Sequence, residues 1–177
     1  AWALENGITN GLADGTFGVN NTCTRGQSVT FLYRTMGTAP TTVNGFTDVA
    51  AGDFYAEAVA WAVENGVTNG TSASTFSPGS GCTRAQIVTF LWRAAGSPKA
   101  SGSNPFRDVS ADTYYYDAVL WAVENGITSG ISADAFAPDA MVTRAQTVTF
   151  LYRAAGSPAA ASGSSFSDVS GNAYYAD

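Results

Sequence analysis

The sequence contains no histidine and few charged side chains of either sign. Histidine is the commonest general base and the commonest neutral metal ligand, so its absence removes both from consideration. Charged residues make up 12% of the chain, about half of the ~25% that is usual in globular domains. Two cysteines are present, Cys23 and Cys82, and they lack the spacing of a zinc or iron–sulfur site. We therefore expect neither a metal nor a cofactor.

Basic residues are scarce in particular. The 177 residues include eight Lys and Arg against fourteen Asp and Glu, which gives a net charge of −6. A nucleic-acid partner requires clustered cations, and this balance argues against one. No apolar run approaches the ~18 residues of a membrane span, so we expect no membrane insertion. No signal peptide is present, and we expect any export signal to have been removed or to lie outside this chain.

Three near-copies of one segment organise the chain. CTRGQSVTF begins at residue 23, CTRAQIVTF at 82 and VTRAQTVTF at 142. The motifs FTDV, FRDV and FSDV begin at residues 46, 106 and 166. Self-similarity at a fixed spacing predicts a repeat architecture, with the Ser/Pro/Gly stretches between copies as linkers.

The frame of these repeats is shifted. The first unit, 1–37, lacks the F-x-D-V head that opens the units at 46–96 and 106–156. A head segment, 166–177, is left over after the last linker. We expect it either to belong to a further repeat or to complete the first one.

The sequence of each unit predicts two helices. In 114–125 the apolar residues follow the spacing of one buried helical stripe, and Gly126 supplies a left-handed stop. Residues 127–141 are rich in Gly, Pro, Ser and Asp, which predicts turns with room for a short hairpin. The segment 143–156 predicts a second helix that is apolar on two sides and therefore central. The simplest architecture is mostly α and buries the second helix of each unit in the middle, with the first helix and the loops outside.

A capping box starts the second helix of each unit, because a threonine is followed three residues later by a glutamine that reaches back to the cap. These glutamines are Gln27, Gln86 and Gln146.

An arginine stands at the first position of the same helix in every copy. A cation there opposes the helix macrodipole, which suggests a negatively charged partner for each arginine. Either a bound anion or the aspartate of the F-x-D-V motif meets this requirement, and the residues alone do not choose between them. The arginines are Arg25, Arg84 and Arg144, and the aspartates are Asp48, Asp108 and Asp168. Arg34, Arg93 and Arg153 lie near helix C-termini, where the dipole favours a cation, and receive no functional role.

The repeated segments resemble the S-layer homology family. In the third unit the matching parts are FRDV (106–109), GITSG (126–130), FAP (136–138) and TRAQ (143–146). The resemblance implies a bacterial cell-surface module that holds exoproteins to a secondary cell wall polymer, often one with pyruvylated sugars. It also implies a mostly α fold, with three pseudo-threefold-related helix–loop–helix repeats around a central three-helix bundle. Binding grooves then lie between neighbouring units and are lined by the arginine of the TRAQ motif. By residue-for-residue match this role falls on Arg25, Arg84 and Arg144, although all three copies carry Gln where the family frequently has Glu.

Tryptophans on the first helix of each unit form a second candidate site. Trp121 lies near Asp117 and Glu124 on the helical wheel, and Trp2 and Trp61 recur at the same repeat position. An exposed tryptophan beside carboxylates is a platform for a sugar ring. The alternative is that a linker or a neighbouring unit covers it, as is usual for large aromatics, and we favour this alternative.

Cys23 and Cys82 occupy the same repeat position, just before the capping threonine. If the central helices run parallel around a threefold axis, these residues approach one another. We expect an inter-repeat disulfide, which suits an exported protein. The alternative is a pair of small buried thiols.

The leading hypothesis is a non-catalytic, extracellular module that anchors a surface protein to anionic wall polysaccharide. The alternative is self-assembly, in which the head segment of one molecule completes the first unit of the next and builds head-to-tail filaments. An enzyme is not expected, because the paired carboxylates recur on one outer helix face in every copy rather than across one cleft.

Overall fold

A computed structural model describes residues 1–161 and 166–176 of the chain. This part contains helices and turns but no strand; its β-contacts are isolated bridges, and the short hairpin allowed between 127 and 141 is not formed. The mostly-α prediction is confirmed. No helix in the described part is both long and apolar enough to pass through a membrane. In chain order the helices are α1 (Trp2–Glu5), α2 (Arg25–Met36), α3 (Ala56–Glu64), α4 (Arg84–Ala94), α5 (Tyr116–Glu124) and α6 (Arg144–Ala154).

The helices α2, α4 and α6 form the centre of the molecule and contact one another. Each carries a fully buried leucine on the side facing the core, namely Leu32, Leu91 and Leu151. The shorter helices lie outside: α3 packs on α2, α5 on α4 and α1 on α6. Each outer helix therefore covers the central helix of the preceding unit. For α1, in the first unit, that helix is α6 of the third unit, so the arrangement closes into a ring.

A closed ring of backbone hydrogen bonds marks the pseudo-threefold axis. The N–H of Cys23 donates to the carbonyl of Val142, Val142 donates to Cys82, and Cys82 donates to Cys23, each with an N–O distance of 2.9 Å. Three equivalent bonds can close head to tail in this way only when three equivalent segments surround one axis. The ring explains how the units are held together where the central helices begin.

The expected capping boxes are present at the start of all three central helices, with Thr24, Thr83 and Thr143 as the N-caps. A capping box leaves other first-turn N–H groups without an acceptor. The loop of the next unit supplies it: in α4, Arg84 N donates to Ala140 O and Ala85 N donates to Pro138 O, both at 2.9 Å. The phenylalanine–proline loop of one unit is thus the cap of its neighbour's central helix.

The head segment packs on the first unit of the same molecule. The rings of Phe166 and Phe17 lie 5.7 Å apart between centroids, and the backbone nitrogen of Ala1 lies 2.8 Å from the carbonyl oxygen of Ala176. Asp177, the last residue of the expected head segment, lies outside the described residues. Head-to-tail assembly requires the head segment of one molecule to pack on the first unit of another, whereas here the two pack together within one molecule.

The expected disulfide is not formed, and both cysteines are free and fully buried. Equivalent residues do approach at the axis, but they do so through their backbones. The two thiols turn to different partners: Cys23 Sγ accepts from Ser28 Oγ at 3.4 Å, and Cys82 Sγ lies 3.7 Å from Thr83 O. Burial raises the pKa of the Cys82 thiol to about 12 and also raises that of Cys23. The two residues act as small core side chains.

Candidate functional site

The aspartate of each F-x-D-V motif holds a loop rather than an arginine. The two carboxylate oxygens of Asp108 accept from Phe136 N at 2.9 Å and from Ala137 N at 2.7 Å. Ala137 has a positive φ of 57°, so the carboxylate fixes a backbone turn that a non-glycine residue rarely adopts. Burial raises the pKa of Asp108, but these two N–H donors, its own backbone N–H and the charge of Arg84 together lower the pKa below its usual value.

The same interaction recurs in the other two copies. Asp48 accepts from Phe76 N and Ser77 N at 2.8 and 2.7 Å. Asp168 accepts from three consecutive N–H groups, those of residues 17–19, at 2.6–3.1 Å. Among the described residues, no ion pair joins these aspartates to the arginines of the TRxQ motifs. The salt-bridge alternative from the sequence is therefore not what the structure forms.

Each of those arginines binds the carbonyl of the loop that the aspartate holds. Arg84 Nε donates to Phe136 O at 2.8 Å. Its guanidinium carbon lies 4.8 Å from the centroid of the Phe136 ring and 5.5 Å from that of Phe150, so two aromatic rings face the cation. Arg25 makes the same contacts with Phe76 and Phe90.

Arg144 repeats the arrangement with Phe17 and Phe31. All three arginines are only 3–4% exposed. Burial lowers the pKa of each, because it disfavours the charged form. Arginine nevertheless remains charged in proteins, and aromatic faces stabilise a weakly hydrated cation. The structure therefore keeps three charged groups at low dielectric with no direct ion pair among the described residues, although Asp48, Asp108 and Asp168 act on Arg25, Arg84 and Arg144 through their charge.

A groove of about 390 Å³ opens over Arg25. We call it the Arg25 groove. It is built by three units: the arginine comes from the first, a loop and the face of α4 from the second, and Tyr114 from the third. The lining residues are Arg25, Thr68, Asn69, Gly70, Thr71, Gln86, Thr89, Phe90, Arg93 and Tyr114.

The Arg84 groove is its counterpart one unit further along the chain, with a volume of about 360 Å³. Its lining residues are Arg84, Thr128, Ser129, Gly130, Ile131, Gln146, Thr149, Phe150, Arg153 and Tyr174. Repeat register places the corresponding third set around Arg144, with Arg34 and Phe54 as the equivalents of Arg153 and Tyr174. We call this set the Arg144 position.

The two grooves concentrate positive charge in an acidic protein. Arg25 and Arg93 lie in one, Arg84 and Arg153 in the other, which accounts for four of the eight cations of the chain. None of the described residues that line them is an aspartate or a glutamate. Both grooves are therefore suited to an anion.

Arg93 and Arg153 were not predicted to have a functional role. Their Nη1 atoms donate to Val67 O and Ile127 O at 3.3 and 3.1 Å, which lie just after the outer helix of the same unit. Arg93 and Arg153 stand about two and a half turns from the N-terminus of their own central helix. There each lies in the groove that also contains the first-position arginine of the preceding unit. Recurrence at the repeat period was the available signal, since Arg34 stands at the same position in the first unit.

The tryptophans do not provide exposed sugar platforms. Trp2 and Trp61 are buried, at 6% and 4% exposure, and Trp121 is half-buried. Trp2 packs edge-on against Tyr152 of α6, and Trp61 packs against Tyr33 of α2. The favoured alternative, in which a neighbouring unit covers these rings, is confirmed for Trp2 and Trp61, and their assignment as sugar platforms is wrong.

The carboxylates beside the tryptophans hold linkers. Glu124 accepts from the backbone N–H and the hydroxyl of Ser101, and Glu64 does the same with Thr41. Glu5 accepts from Ala161 N at 3.0 Å. These glutamates therefore tie the Ser/Pro/Gly segments to the outer helices.

The exposed aromatics are a set that the sequence analysis missed. Tyr114 and Tyr174 are 59% and 62% exposed and line the grooves, and Phe54 is their equivalent in the second unit. Each stacks edge-on against the next aromatic residue, which is partly buried. An aromatic ring beside a cation and several hydroxyls is a common setting for a sugar ring.

Comparison with known proteins identifies the family. The family model of the S-layer homology domain matches residues 1–27, 45–88 and 105–148, more than half of the chain. The chain therefore belongs to the S-layer homology domain family, and the resemblance noted in the sequence is confirmed.

Relatives include the surface-layer 125 kDa protein of Lysinibacillus sphaericus, which is 37% identical over 62% of this chain and 9% of that protein. An endoglucanase of Bacillus sp. (strain KSM-635) is 38% identical over 51% of this chain and 10% of that protein. A cell surface protein of Thermoanaerobacter kivui is 31% identical over 73% of this chain and 17% of that protein. The chain spans less than a fifth of the length of each of these relatives.

Proposed function

We propose that this chain is a non-catalytic module that anchors the protein carrying it to an anionic polysaccharide of the bacterial cell wall. The single observation that carries the proposal is the pairing of arginines in grooves with no acidic lining residue. A protein with a net charge of −6 repels anions over most of its surface. Two such grooves in this protein are best explained by an anionic ligand.

The chemistry of the groove favours a carboxylate on a sugar ring. A guanidinium is planar and offers donors in a fork that matches a carboxylate, and the aromatic rings on either side exclude water from the pair. Threonine, asparagine and tyrosine side chains around it offer hydrogen bonds to hydroxyl groups. A pyruvylated sugar, which carries a carboxylate fixed to its ring, meets both requirements.

Repetition of the groove suits a repeating polymer. Two grooves on one module can bind two sugars of the same polysaccharide molecule, so the second contact is intramolecular and adds avidity. The relatives also support an anchoring role at the extracellular surface, since this segment recurs in a surface-layer protein, a cell surface protein and an endoglucanase. A segment shared by proteins of such different kinds supplies attachment rather than catalysis.

Co-sedimentation with purified cell walls tests the proposal. We expect the chain to sediment with walls that retain their attached polysaccharide and to remain in solution when that polysaccharide has been extracted. Walls whose carboxylates have been reduced to alcohols should also fail to retain it, while mock-treated walls retain it fully. This design alters the ligand and leaves the buried arginines intact. Equal retention on reduced and mock-treated walls would contradict an anionic ligand.

A further inference from the structure

A cleft of about 470 Å³ lies over the outer helix α3. The linker that follows α2 forms one wall, and α3 with the loop before it forms the other. We call it the α3 cleft. Among the described residues it shares none of its lining with the Arg25 groove or the Arg84 groove, so the anchoring function leaves it unexplained.

The cleft is open because α3 carries small side chains where its counterpart carries large ones. Ala56 and Ala60 line the cleft, and both are buried. At the equivalent positions, α5 of the third unit has Tyr116 and Leu120. Tyr116 packs against the hydrophobic core and Leu120 is only 8% exposed. The space that α5 fills with its own side chains therefore stays open over α3.

An exposed valine stands at the edge of the same cleft. Val43, in the linker, is 91% exposed, more than any other large apolar side chain in the described part of the chain. Its equivalent in the third unit is Ser103, which is exposed but polar. Removing a valine side chain from water against an apolar surface is favourable. The projecting apolar side chain and the open apolar cleft occur together around α3, whereas the equivalent residues around α5 are a serine and two large side chains.

The cleft is also nearly neutral in an acidic protein. Glu57 is the one charged side chain among the described residues that line it, and Glu57 Oε1 accepts from Tyr33 Oη at 2.8 Å. Two copies that each carry a net charge of −6 repel one another over most of their surfaces. The α3 cleft is a place where they can approach with little repulsion.

We propose that the α3 cleft is a contact surface for a second copy of this chain, in a twofold dimer in which Val43 of each copy enters the cleft of the other. A twofold contact uses the same patch on both molecules, so the patch must hold a projecting side chain and a matching cavity side by side. The dimer is weak, because the nine residues that line the cleft are fewer than the ~20–30 per side of a stable interface. It goes beyond wall anchoring and does not use the head segment.

Sedimentation velocity at increasing protein concentration tests the contact. We expect a monomer–dimer equilibrium with a dissociation constant on the order of 0.1–1 mM. Added salt should lower this constant, because it screens the repulsion between like-charged copies. Val43→Asp places a carboxylate in both clefts of the dimer and should raise the constant at least about tenfold. Ser103→Asp, the matched control, adds the same charge at the equivalent exposed position and should change it by less than about twofold.

A second variant fills the cavity instead of changing the projecting side chain. Ala60→Leu places in α3 the residue that α5 already has, so the fold should accept it and the melting temperature should not fall. The dimer should nevertheless be lost, because Val43 of the other copy no longer has room to enter. In the unsubstituted chain, the NMR signals of the Val43 methyl groups should shift with protein concentration.

Four results would overturn the inference. The first is a monomer at every concentration up to about 1 mM, the upper end of the expected range. The second is equal weakening by Val43→Asp and Ser103→Asp. The third is growth beyond a dimer, which indicates a head-to-tail contact rather than a twofold one. The fourth is a close contact between the Val43 methyl groups and Ala60 in dilute solution, which means that the linker closes its own cleft.

Discussion

Replacing Arg84 by lysine should destabilise the protein although the charge is retained. Lysine has no Nε–H at the position where Arg84 binds Phe136 O, at 2.8 Å. Its ammonium group is compact, so it also loses the stacking of a planar guanidinium 4.8 Å from the ring of Phe136 and 5.5 Å from that of Phe150. The arginine is thus part of the fold as well as part of the groove.

The magnitude follows from these two losses. Phe136 is fully buried, so its carbonyl would be left without this donor, at a cost of about 1–3 kcal/mol. The weakened cation–π contacts add about 0.5–1 kcal/mol. The free energy of unfolding should therefore fall by about 1.5–4 kcal/mol, a large part of the ~5–15 kcal/mol that is typical of a domain.

Urea denaturation followed by circular dichroism measures this change. Arg107→Lys is the matched control, since Arg107 is 87% exposed and its only described ion pair, with Asp134 at 3.4 Å, is also at the surface. The control should shift the free energy of unfolding by less than about 0.5 kcal/mol. If Arg84→Lys is no more destabilising than Arg107→Lys, the structural role assigned to this arginine is refuted.

Three further predictions concern the loops, the aspartates and the cysteines. Gly70→Ala should lower the free energy of unfolding by more than about 2 kcal/mol, because φ is +84° and a new Cβ would lie 2.5 Å from the Phe46 ring and from Thr75 O. Gly66 has φ +67° but open space around it, so Gly66→Ala should lower the free energy of unfolding by only about 1 kcal/mol. The F-x-D-V aspartates have folded pKa values below the unfolded value of about 3.9. Their contribution to stability is therefore present above that pH and is lost as pH falls through the folded pKa. Urea titrations between about pH 2 and 6 should show this loss of stability, and the dependence on pH should be flatter for Asp108→Asn. Both native thiols should react with a thiol reagent only as fast as the protein unfolds, and a reductant should leave the melting temperature unchanged; rapid labelling of either cysteine would contradict their burial.

Local signals in the sequence were sufficient for the helices and their caps. The threonine–glutamine pairs predicted the start of α2, α4 and α6, because a capping box depends on residues three positions apart. The odd placement of an arginine at the first helical position predicted a negatively charged partner, and the family resemblance implied the groove. What the sequence left open was the partner of that arginine, since both a ligand and an aspartate explain a buried cation. In the structure the direct hydrogen bonds of the aspartate go to loop backbone, to three residues at Asp168 and to two at each of its counterparts, so it acts on the arginine only through its charge.

The wrong assignments came from contacts between units. A helical wheel places Trp61 away from its own helix's buried stripe, but the side it faces is covered by Tyr33 from the preceding central helix. The same wheel gives no reason to expect that Tyr114 stays exposed at the edge of a groove lined by Arg25. Exposure in a ring of repeats depends on which neighbour each face meets, and that is decided by the order in which the units pack.

That packing order also determines how the two grooves are assembled. In the Arg25 groove the arginine, the loop with its central helix, and the rim tyrosine come from three successive units, so no single unit contains the site. Asp48 fixes the loop whose Phe76 carbonyl Arg25 binds, and the same loop caps α2 through Pro78 O and Ser80 O, so it holds the groove arginine in place. The Arg84 groove takes its rim residue, Tyr174, from the head segment that closes the circle onto the first unit. If the grooves bind the polymer as proposed, binding depends on the closed ring of repeats, and a change that opens this ring at any unit boundary should weaken grooves beyond the one it touches.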